Sequence, residues 1–269
     1  MRTLLLPMIS GKRTNSISVL GMCLDPLNPT EACSQVLAWA AKAESRFICH
    51  ANVHMTMEAW DASTLQAVFN SSDLTLPDGM PLVWGLKLLG AKQARQVRGG
   101  DLMLLVCERA AAAGVPVALY GGRGEYADDL ACFLRSTYPD LRLACFIVPP
   151  FRPVTEEEDA SYVRELNDSG ARIVFVGLGC PKQELWMAEH RGKVNAVMIG
   201  VGAAFDFFAG RTKQAPVWMQ RGGLEWLFRL LSEPRRLWKR YLKHNPRFVL
   251  LFTLQWFARF LGVQLFRPN

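Results

Sequence analysis

Continuous apolar runs alternate with helical patterns over the first 209 residues of the chain. The segments VPVALYGG (115–122) and ARIVFVGLG (171–179) are apolar at successive positions and end in glycine. This pattern is typical of parallel strands that are covered by helices on both sides. The sequence therefore predicts an α/β fold with a Rossmann-like, mostly parallel sheet and helices on both faces.

The same patterns predict the individual elements. Strands are expected at Ile17–Met22, Phe47–Asn52, Asp73–Leu76, Pro116–Gly121, Leu141–Val148, Arg172–Gly177 and Ala196–Val201. Helices are expected at Pro29–Ala43, Ser63–Asn70, Met80–Leu89, Gly100–Ala113, Gly124–Tyr138, Thr155–Asp168 and Pro181–His190. Ligands of such sheets bind beyond the carboxyl ends of the strands, so the loops that follow the strands are the first places to look for a site.

The pattern changes after Gly210, where strand signals stop and four of the eight tryptophans fall within residues 218–256. Residues 210–269 carry twelve basic and two acidic side chains, whereas residues 1–209 carry 19 and 22. The sequence predicts an α/β core over 1–209 and a basic, tryptophan-rich helical appendage over 210–269. A basic terminal block suggests a polyanionic partner, namely nucleic acid, an anionic membrane or a phosphate-rich substrate.

Two segments of this appendage have distinct patterns. Residues 235–243 (RRLWKRYLK) place basic residues on one side of a helix and apolar residues on the other, a face suited to anionic lipid or to closing over an active site. Phe248–Phe266 is 19 residues long and carries one charge, at Arg259. Its polar residues favour an interfacial helix over a membrane span. Nucleic acid is disfavoured, because the aromatic residues sit among leucines.

The seven cysteines are scattered and include no C-x-x-C pair, which argues for reduced thiols rather than a zinc ribbon or a redox motif. The apolar stretch near the start, in MRTLLLPMISGKR, is short and broken by proline, so no signal peptide is predicted. We expect the body of the protein to be cytoplasmic.

Three loops offer candidate ligand-binding groups. Gly121 and Gly122 lie in a glycine turn that could present backbone N–H groups to a diphosphate, or could simply be a tight strand-to-helix turn. Asp78, in LPDGM, could act as a general base, although the local sequence favours a helix N-cap. In GLGCPKQE, Lys182 could bind a phosphate and Gln183 a sugar hydroxyl; a helix that starts at a proline and has a solvated polar turn is the alternative.

Asp206 lies among apolar residues, so it needs a partner, either a ligand hydroxyl or a helix-terminal N–H. His50 and His54 are four residues apart, but a strand is expected to run into a loop there. The pattern therefore does not place both side chains on one helix face, and it does not predict a metal ion shared by the two. No D-x-D sequence occurs, so no metal ion is expected at a nucleotide-sugar site.

Several motifs, in this order, resemble one family: NVHM (52–55), SDLTLPDGMPLVWGLKLLG (72–90), VRGGDLM (97–103), VFVGLGCPKQELWM (174–187), IGVGAAFDFFAG (199–210) and GLEWLFRLLSEPRRLW (223–238). Together they resemble the WecG/TagA/CpsF glycosyltransferases, glycosyltransferase family 26, from about Ile17 to Phe248. Their order and combination make the resemblance highly specific.

The resemblance implies an enzyme that transfers a sugar from a UDP-sugar to a polyprenyl-diphosphate-linked saccharide, with inversion and without metal or cofactor. It implies peripheral binding to the anionic inner face of the cytoplasmic membrane, in cell-surface polysaccharide biosynthesis, and no nucleic-acid partner. Self-association into a homo-oligomer is left open. A noncatalytic nucleotide-sugar-binding or scaffold subunit of the same assembly is the alternative.

The resemblance also assigns residues. Asp78 matches the proposed catalytic base, while Asn52 and Gln183 match polar residues of two further motifs. Basic residues of the appendage match arginines near the substrate diphosphates, namely Arg229, Arg236 and Arg240.

Two positions depart from the family pattern. His50 stands where the family has threonine, and Gln96 stands where it has an arginine that contacts diphosphate; Arg98 is the best substitute. Inverting transfer needs one base for the acceptor hydroxyl and stabilisation of the leaving diphosphate. Without a metal, arginines and backbone N–H groups must supply that stabilisation.

Overall fold

The computed structural model describes residues 15–263. Within this range the strands are β1 Ile17–Val19, β2 Met22–Leu24, β3 Arg46–Ala51, β4 Leu74–Pro77, β5 Val117–Gly121, β6 Leu143–Ile147, β7 Ile173–Gly177 and β8 Val197–Gly200. β1 and β2 form an antiparallel hairpin, and the other six form one sheet in the order β4-β3-β8-β7-β5-β6.

The α-helices of the described residues are α1 Pro29–Ala41, α2 Val53–Asp61, α3 Ser63–Ser71, α4 Met80–Leu88, α5 Gly99–Ala113, α6 Ala127–Thr137, α7 Glu156–Asp168, α8 Lys182–His190, α9 Ala204–Phe208, α10 Val217–Arg221, α11 Glu225–Ser232 and α12 Pro234–Phe260. A 3₁₀ turn, Gly124–Tyr126, precedes α6. The strands of the six-stranded sheet lie close to their predicted positions.

The sheet confirms the predicted α/β fold. β5 pairs in parallel with β6 and β7, and β8 pairs in parallel with β7 and β3. The side chains of Val174, Phe175 and Ile199 are fully buried, as expected for strands covered by helices. The predicted Rossmann-like parallel sheet, flanked by helices, is therefore present.

The first predicted strand, Ile17–Met22, is wrong in one respect. Leu20 and Gly21 adopt left-handed backbone conformations, with φ of 51° and 83°, and turn the chain back on itself. The result is the β1–β2 hairpin in place of a continuous strand, because two successive positive-φ residues are typical of a tight hairpin turn.

The chain divides into two compact units. The first contains residues 29–49 and 99–212, and the second contains residues 15–28, 50–98 and 213–263 of the described chain. The C-terminal helices therefore pack in the same unit as the segment that carries Asp78. The functional division into a 1–209 core and a 210–269 appendage stays a prediction.

The end of the second unit is one long helix where the sequence suggests two separate segments. α12 continues through Pro246, and residues 264–266 of the predicted interfacial segment lie outside the described residues. Gln255 of α12 accepts a hydrogen bond from the Leu20 amide at 2.9 Å and donates one to the Ser18 carbonyl at 2.8 Å. None of the helices in the described range is long and apolar enough to cross a membrane.

Candidate active site

A cavity of about 450 Å³ lies within the second unit. Its wall is built by the start of α2, the β4–α4 turn, α4, the 220–229 segment and α12. The polar and charged side chains that line it are Asn52, His54, Asp78, Gln96, Gln220, Glu225, Arg229, Arg240, Tyr241, Asn245 and Thr253. Its size lies in the usual range for small-molecule sites.

Asp78 enters this cavity from the turn that follows β4. The amides of Asp78 and Gly79 both donate to the Ala51 carbonyl at the end of β3, at 2.8 and 3.2 Å. The Gln96 side chain donates to the Asp78 carbonyl at 2.7 Å. These three bonds hold the turn in place, so the half-buried Asp78 carboxylate starts from a fixed backbone position.

The structure corrects the local interpretation of Asp78 as a helix cap. α4 begins at Met80, its N-cap is Gly79, and no side chain caps it. A carboxylate at the N-cap would satisfy a backbone N–H of the first turn. Because Asp78 lies one residue too early for that role, it does not cap α4, and it lines the cavity instead.

Asn52 borders the same turn and begins α2. Its side-chain oxygen accepts from the Met55 amide at 3.2 Å, which makes it the N-cap. A Cβ at Gly79 would lie 3.1 Å from the Asn52 Cβ, so glycine permits the close approach of the two segments. α2 is not among the helices predicted from the sequence, and a loop is expected there; asparagine at position 52 before a helical stretch is the signal that identifies the helix.

Two arginines contribute positive charge to the cavity. Arg229 of α11 and Arg240 of α12 both line it, and both are half-buried. The rings of Trp226 and Tyr241 meet edge to face at 6.0 Å and hold α11 against α12. Burial, followed by the charge of Arg240, lowers the pKa of His54 to about 4, so its imidazole is neutral near pH 7.

Arg98, the predicted substitute for the family arginine, is engaged by two residues of the cavity wall. It donates to the side-chain oxygen of Gln220, and its guanidinium lies 4.0 Å from the Glu225 carboxylate. Gln96, which replaces that arginine, holds the Asp78 turn as described above. Position 96 therefore supports the site through the backbone of Asp78.

Two further predicted substrate-binding residues of this unit lie outside the cavity. Arg236 is exposed and forms an ion pair with Glu233 at 2.5 Å, and it does not line the cavity. His50 is buried on β3 and does not line the cavity either. Their predicted roles in substrate binding stay predictions.

An apolar wall faces these polar groups. It is formed by Trp84 and Leu88 of α4 and by Val249 and Phe252 of α12. A Cβ at Gly85 would lie 3.1 Å from the Phe252 ring, so glycine allows α4 to approach α12 closely. The cavity is therefore amphipathic, with charged groups and an apolar surface in one space.

The predicted glycine turn belongs to the first unit. The Gly122 amide donates to the Gly177 carbonyl at 2.9 Å, and a Cβ at Gly121, whose φ is 111°, would lie 2.6 Å from that carbonyl oxygen. The close approach of β5 to β7 therefore explains Gly121, whereas Gly122 has a φ of 79° and its Cβ would lie 3.2 Å from the Phe205 ring. Diphosphate binding by this turn stays a prediction.

The PKQE turn is not the solvated polar turn that is one of the two interpretations of its sequence. Gln183 and Glu184 are buried, whereas Lys182 is exposed at the first position of α8. The side-chain nitrogen of Gln183 donates to the Glu184 carboxyl at 2.9 Å, and its side-chain oxygen accepts from the backbone N–H of Gly202 at 3.1 Å. Burial raises the pKa of the Glu184 carboxyl. Gln183 and Glu184 form hydrogen bonds within the fold, and the predicted binding of a sugar hydroxyl by Gln183 stays a prediction.

The partner of Asp206 is a tyrosine, which differs from both expectations. Its carboxylate accepts a hydrogen bond from the Tyr126 hydroxyl, where a ligand hydroxyl or a helix-terminal N–H is expected. Burial, together with this bond to Asp206, raises the pKa of Tyr126 to about 12. The pair connects the 3₁₀ turn to α9 within the first unit.

These features define an α/β protein with a preformed cavity that is lined by charged and apolar side chains. A family model for the glycosyl transferase WecG/TagA/CpsF family matches residues 17–261 of the 269-residue chain. The chain belongs to this family, as its motifs predict. It is accordingly a glycosyltransferase, whose substrates are a sugar donor and an acceptor.

Proposed function

We propose that this glycosyltransferase moves a sugar from a UDP-sugar to a polyprenyl-diphosphate-linked saccharide, with inversion at the anomeric carbon. The reaction serves cell-surface polysaccharide synthesis at the inner face of the cytoplasmic membrane and uses no catalytic metal ion. The observation that carries the proposal is the single cavity that combines Asp78, Arg229, Arg240 and an apolar wall.

Asp78 is the general base of this proposal. In an inverting displacement, a base accepts the proton of the attacking acceptor hydroxyl while the UDP leaves from the opposite side of the anomeric carbon. Glu225, another carboxylate of the cavity, faces the Arg98 guanidinium at 4.0 Å. The anchored turn of Asp78 favours it as the group that receives the proton, because its backbone is fixed by three hydrogen bonds.

Arg229 and Arg240 bind diphosphate in this proposal. A guanidinium pairs with phosphate oxygens through two parallel hydrogen bonds, and the interaction strengthens where water is excluded. Both arginines are half-buried and line the same cavity as Asp78. They can therefore hold the charged part of a substrate while the sugar lies toward the base.

The exposed surface of α12 supports contact with a membrane. Leu250, Leu254, Phe257 and Phe260 are exposed, with Phe260 82% accessible. Large exposed apolar side chains in one region mark an interaction surface, and an amphipathic helix with basic residues suits an anionic bilayer surface. Part of the apolar wall of the cavity, Val249 and Phe252, belongs to the same helix, which suits an acceptor with a lipid chain.

The test is a transfer assay with a short-chain diphosphate-linked saccharide acceptor in detergent-free buffer. The enzyme is first treated with EDTA. UDP release and product formation are then measured with three donors: UDP-N-acetylmannosamine, UDP-N-acetylmannosaminuronic acid and UDP-glucose. We expect turnover with one of these donors in the presence of EDTA, and an inverted anomeric centre by NMR. Retention of configuration, or a requirement for Mg²⁺ or Mn²⁺, would contradict the proposal, and binding of donor without turnover would favour the scaffold alternative.

A further inference from the structure

Three side chains with metal-ligating atoms meet between α2 and α12. His54 and Glu58 come from α2, and His244 comes from α12. The Glu58 Oε1 lies 3.2 Å from the His244 Nε2 and 3.8 Å from the His54 Nε2. One ligating atom from each residue lies within 4.8 Å of the others, and no second group of this kind is found among residues 15–263.

The helices explain this arrangement. His54 and Glu58 are four residues apart on α2, so their side chains lie on the same face, one turn from each other. His244 is 3% exposed and projects from the side of α12 that packs on α2. Arg247 of α12 binds Asp61 of α2 with two hydrogen bonds of 2.6 and 3.0 Å, which fixes the two helices near the cluster.

The spacing suits a small divalent ion. Zinc binds histidine nitrogen and carboxylate oxygen at about 2.0–2.2 Å, which puts two ligands of a tetrahedral site about 3.3–3.6 Å apart. The two measured separations, 3.2 and 3.8 Å, lie on either side of that range. Two imidazoles and one carboxylate are also a donor set that borderline transition metals accept, with a fourth position left open.

His244 provides a second, independent observation. A buried histidine with a structural role ordinarily uses both ring nitrogens, as His190 does toward the Trp186 carbonyl and the Asp159 carboxylate. His244 faces Glu58 with one nitrogen, and its other nitrogen, Nδ1, is buried without a hydrogen-bond partner in the described chain. The fold thus leaves this imidazole only partly used.

We propose that His54, Glu58 and His244 bind a divalent transition-metal ion, with Zn²⁺ as the ion they fit best. The ion in this site is coordinated by side chains of the protein and not by a substrate diphosphate, so it has no role in the proposed transfer chemistry. It connects α2 to α12, and His54 also lines the cavity.

The experiment uses the untagged full chain after removal of metal by a chelator. Zn²⁺ binding is measured by calorimetry, and Co²⁺ serves as a spectroscopic probe of tetrahedral coordination. We expect one ion per chain. His54→Gln, Glu58→Gln and His244→Gln should each weaken binding about 10- to 100-fold or more, a range known for changes around metal sites.

Asp128→Asn is the control, because it removes an exposed carboxylate of α6 that is not part of the cluster; it should bind Zn²⁺ like the wild type. Circular dichroism identifies any variant that fails to fold. His54 and Glu58 are only partly buried, so their variants keep the test valid if His244→Gln unfolds. Absence of stoichiometric binding to the wild type, or wild-type affinity in folded His54→Gln and Glu58→Gln, overturns the proposal. Neither result depends on sugar transfer, so the proposed function is tested separately.

Discussion

Arg240 and Arg236 lie one helical turn apart on α12, yet the structure predicts very different effects of replacing them. Arg240 is half-buried and lines the cavity, where a hydrogen bond to a charged group contributes about 1.5–3 kcal/mol. Arg240→Ala should therefore lower kcat/KM about 10- to 150-fold. Arg236 is 55% exposed and already paired with Glu233, and exposed pairs contribute about 0–1 kcal/mol. Arg236→Ala should cost at most about fivefold.

The assay measures kcat/KM of both variants with a water-soluble, short-chain diphosphate-linked acceptor, so that membrane binding does not contribute. Lys239→Ala is the control, because it removes an exposed cation from the same helix and should behave like Arg236→Ala. Equal losses in Arg240→Ala and Arg236→Ala would show that the basic face acts as a whole. Full activity of Arg240→Ala would refute its assignment to the diphosphate.

Three further predictions follow from the packing. Gly121→Ala should lower the free energy of unfolding by about 1–3 kcal/mol in urea, whereas Gly124→Ala should be nearly neutral, because a Cβ meets the Gly177 carbonyl in one case and open space in the other. Burial raises the pKa of Glu184 above its ordinary value of 4.5, so its contribution to stability is present below pH 4.5 and is lost as the pH rises through the raised pKa. The difference in melting temperature between the wild type and Glu184→Gln should therefore shift against the wild type between pH 4.5 and pH 8. A difference that stays constant with pH would contradict this prediction. Phe257→Ser with Phe260→Ser should reduce binding to anionic vesicles in a sedimentation assay, and unchanged binding would exclude this surface.

The strands of the six-stranded sheet are predictable from the sequence, because their apolar runs need no alternation when both faces are covered. The β1–β2 hairpin is not, since Leu20 takes a left-handed conformation that its side chain does not signal. The continuity of α12 is also hidden, because Pro246 normally ends a helix. Gln255 weakens the apolar pattern of α12 because it serves the backbone of the hairpin.

The candidate site is predictable only in part. The PDG motif gives Asp78, but local capping preference assigns the carboxylate to α4, and only the folded chain shows that Gly79 is the N-cap and that Asp78 lines the cavity. The burial of Gln183 and Glu184 depends on packing around Gly200 and Gly202 that no local pattern contains. Contacts between residues distant in sequence decide these cases, whereas local preferences describe only neighbours along the chain.

In the proposed reaction, Asp78 accepts the proton of the acceptor hydroxyl during transfer. Asp78→Asn keeps the size of the side chain and the backbone bonds of the turn, but its amide cannot accept that proton.

The decisive measurement is the turnover of Asp78→Asn with saturating donor and the soluble acceptor, alongside donor affinity by calorimetry. Glu225→Gln serves as the control, because it changes another carboxylate of the same cavity. We expect turnover to fall roughly 10²- to 10⁴-fold for Asp78→Asn, with donor affinity little changed and a smaller effect in the control. Near-normal turnover of Asp78→Asn would show that Asp78 is not the base.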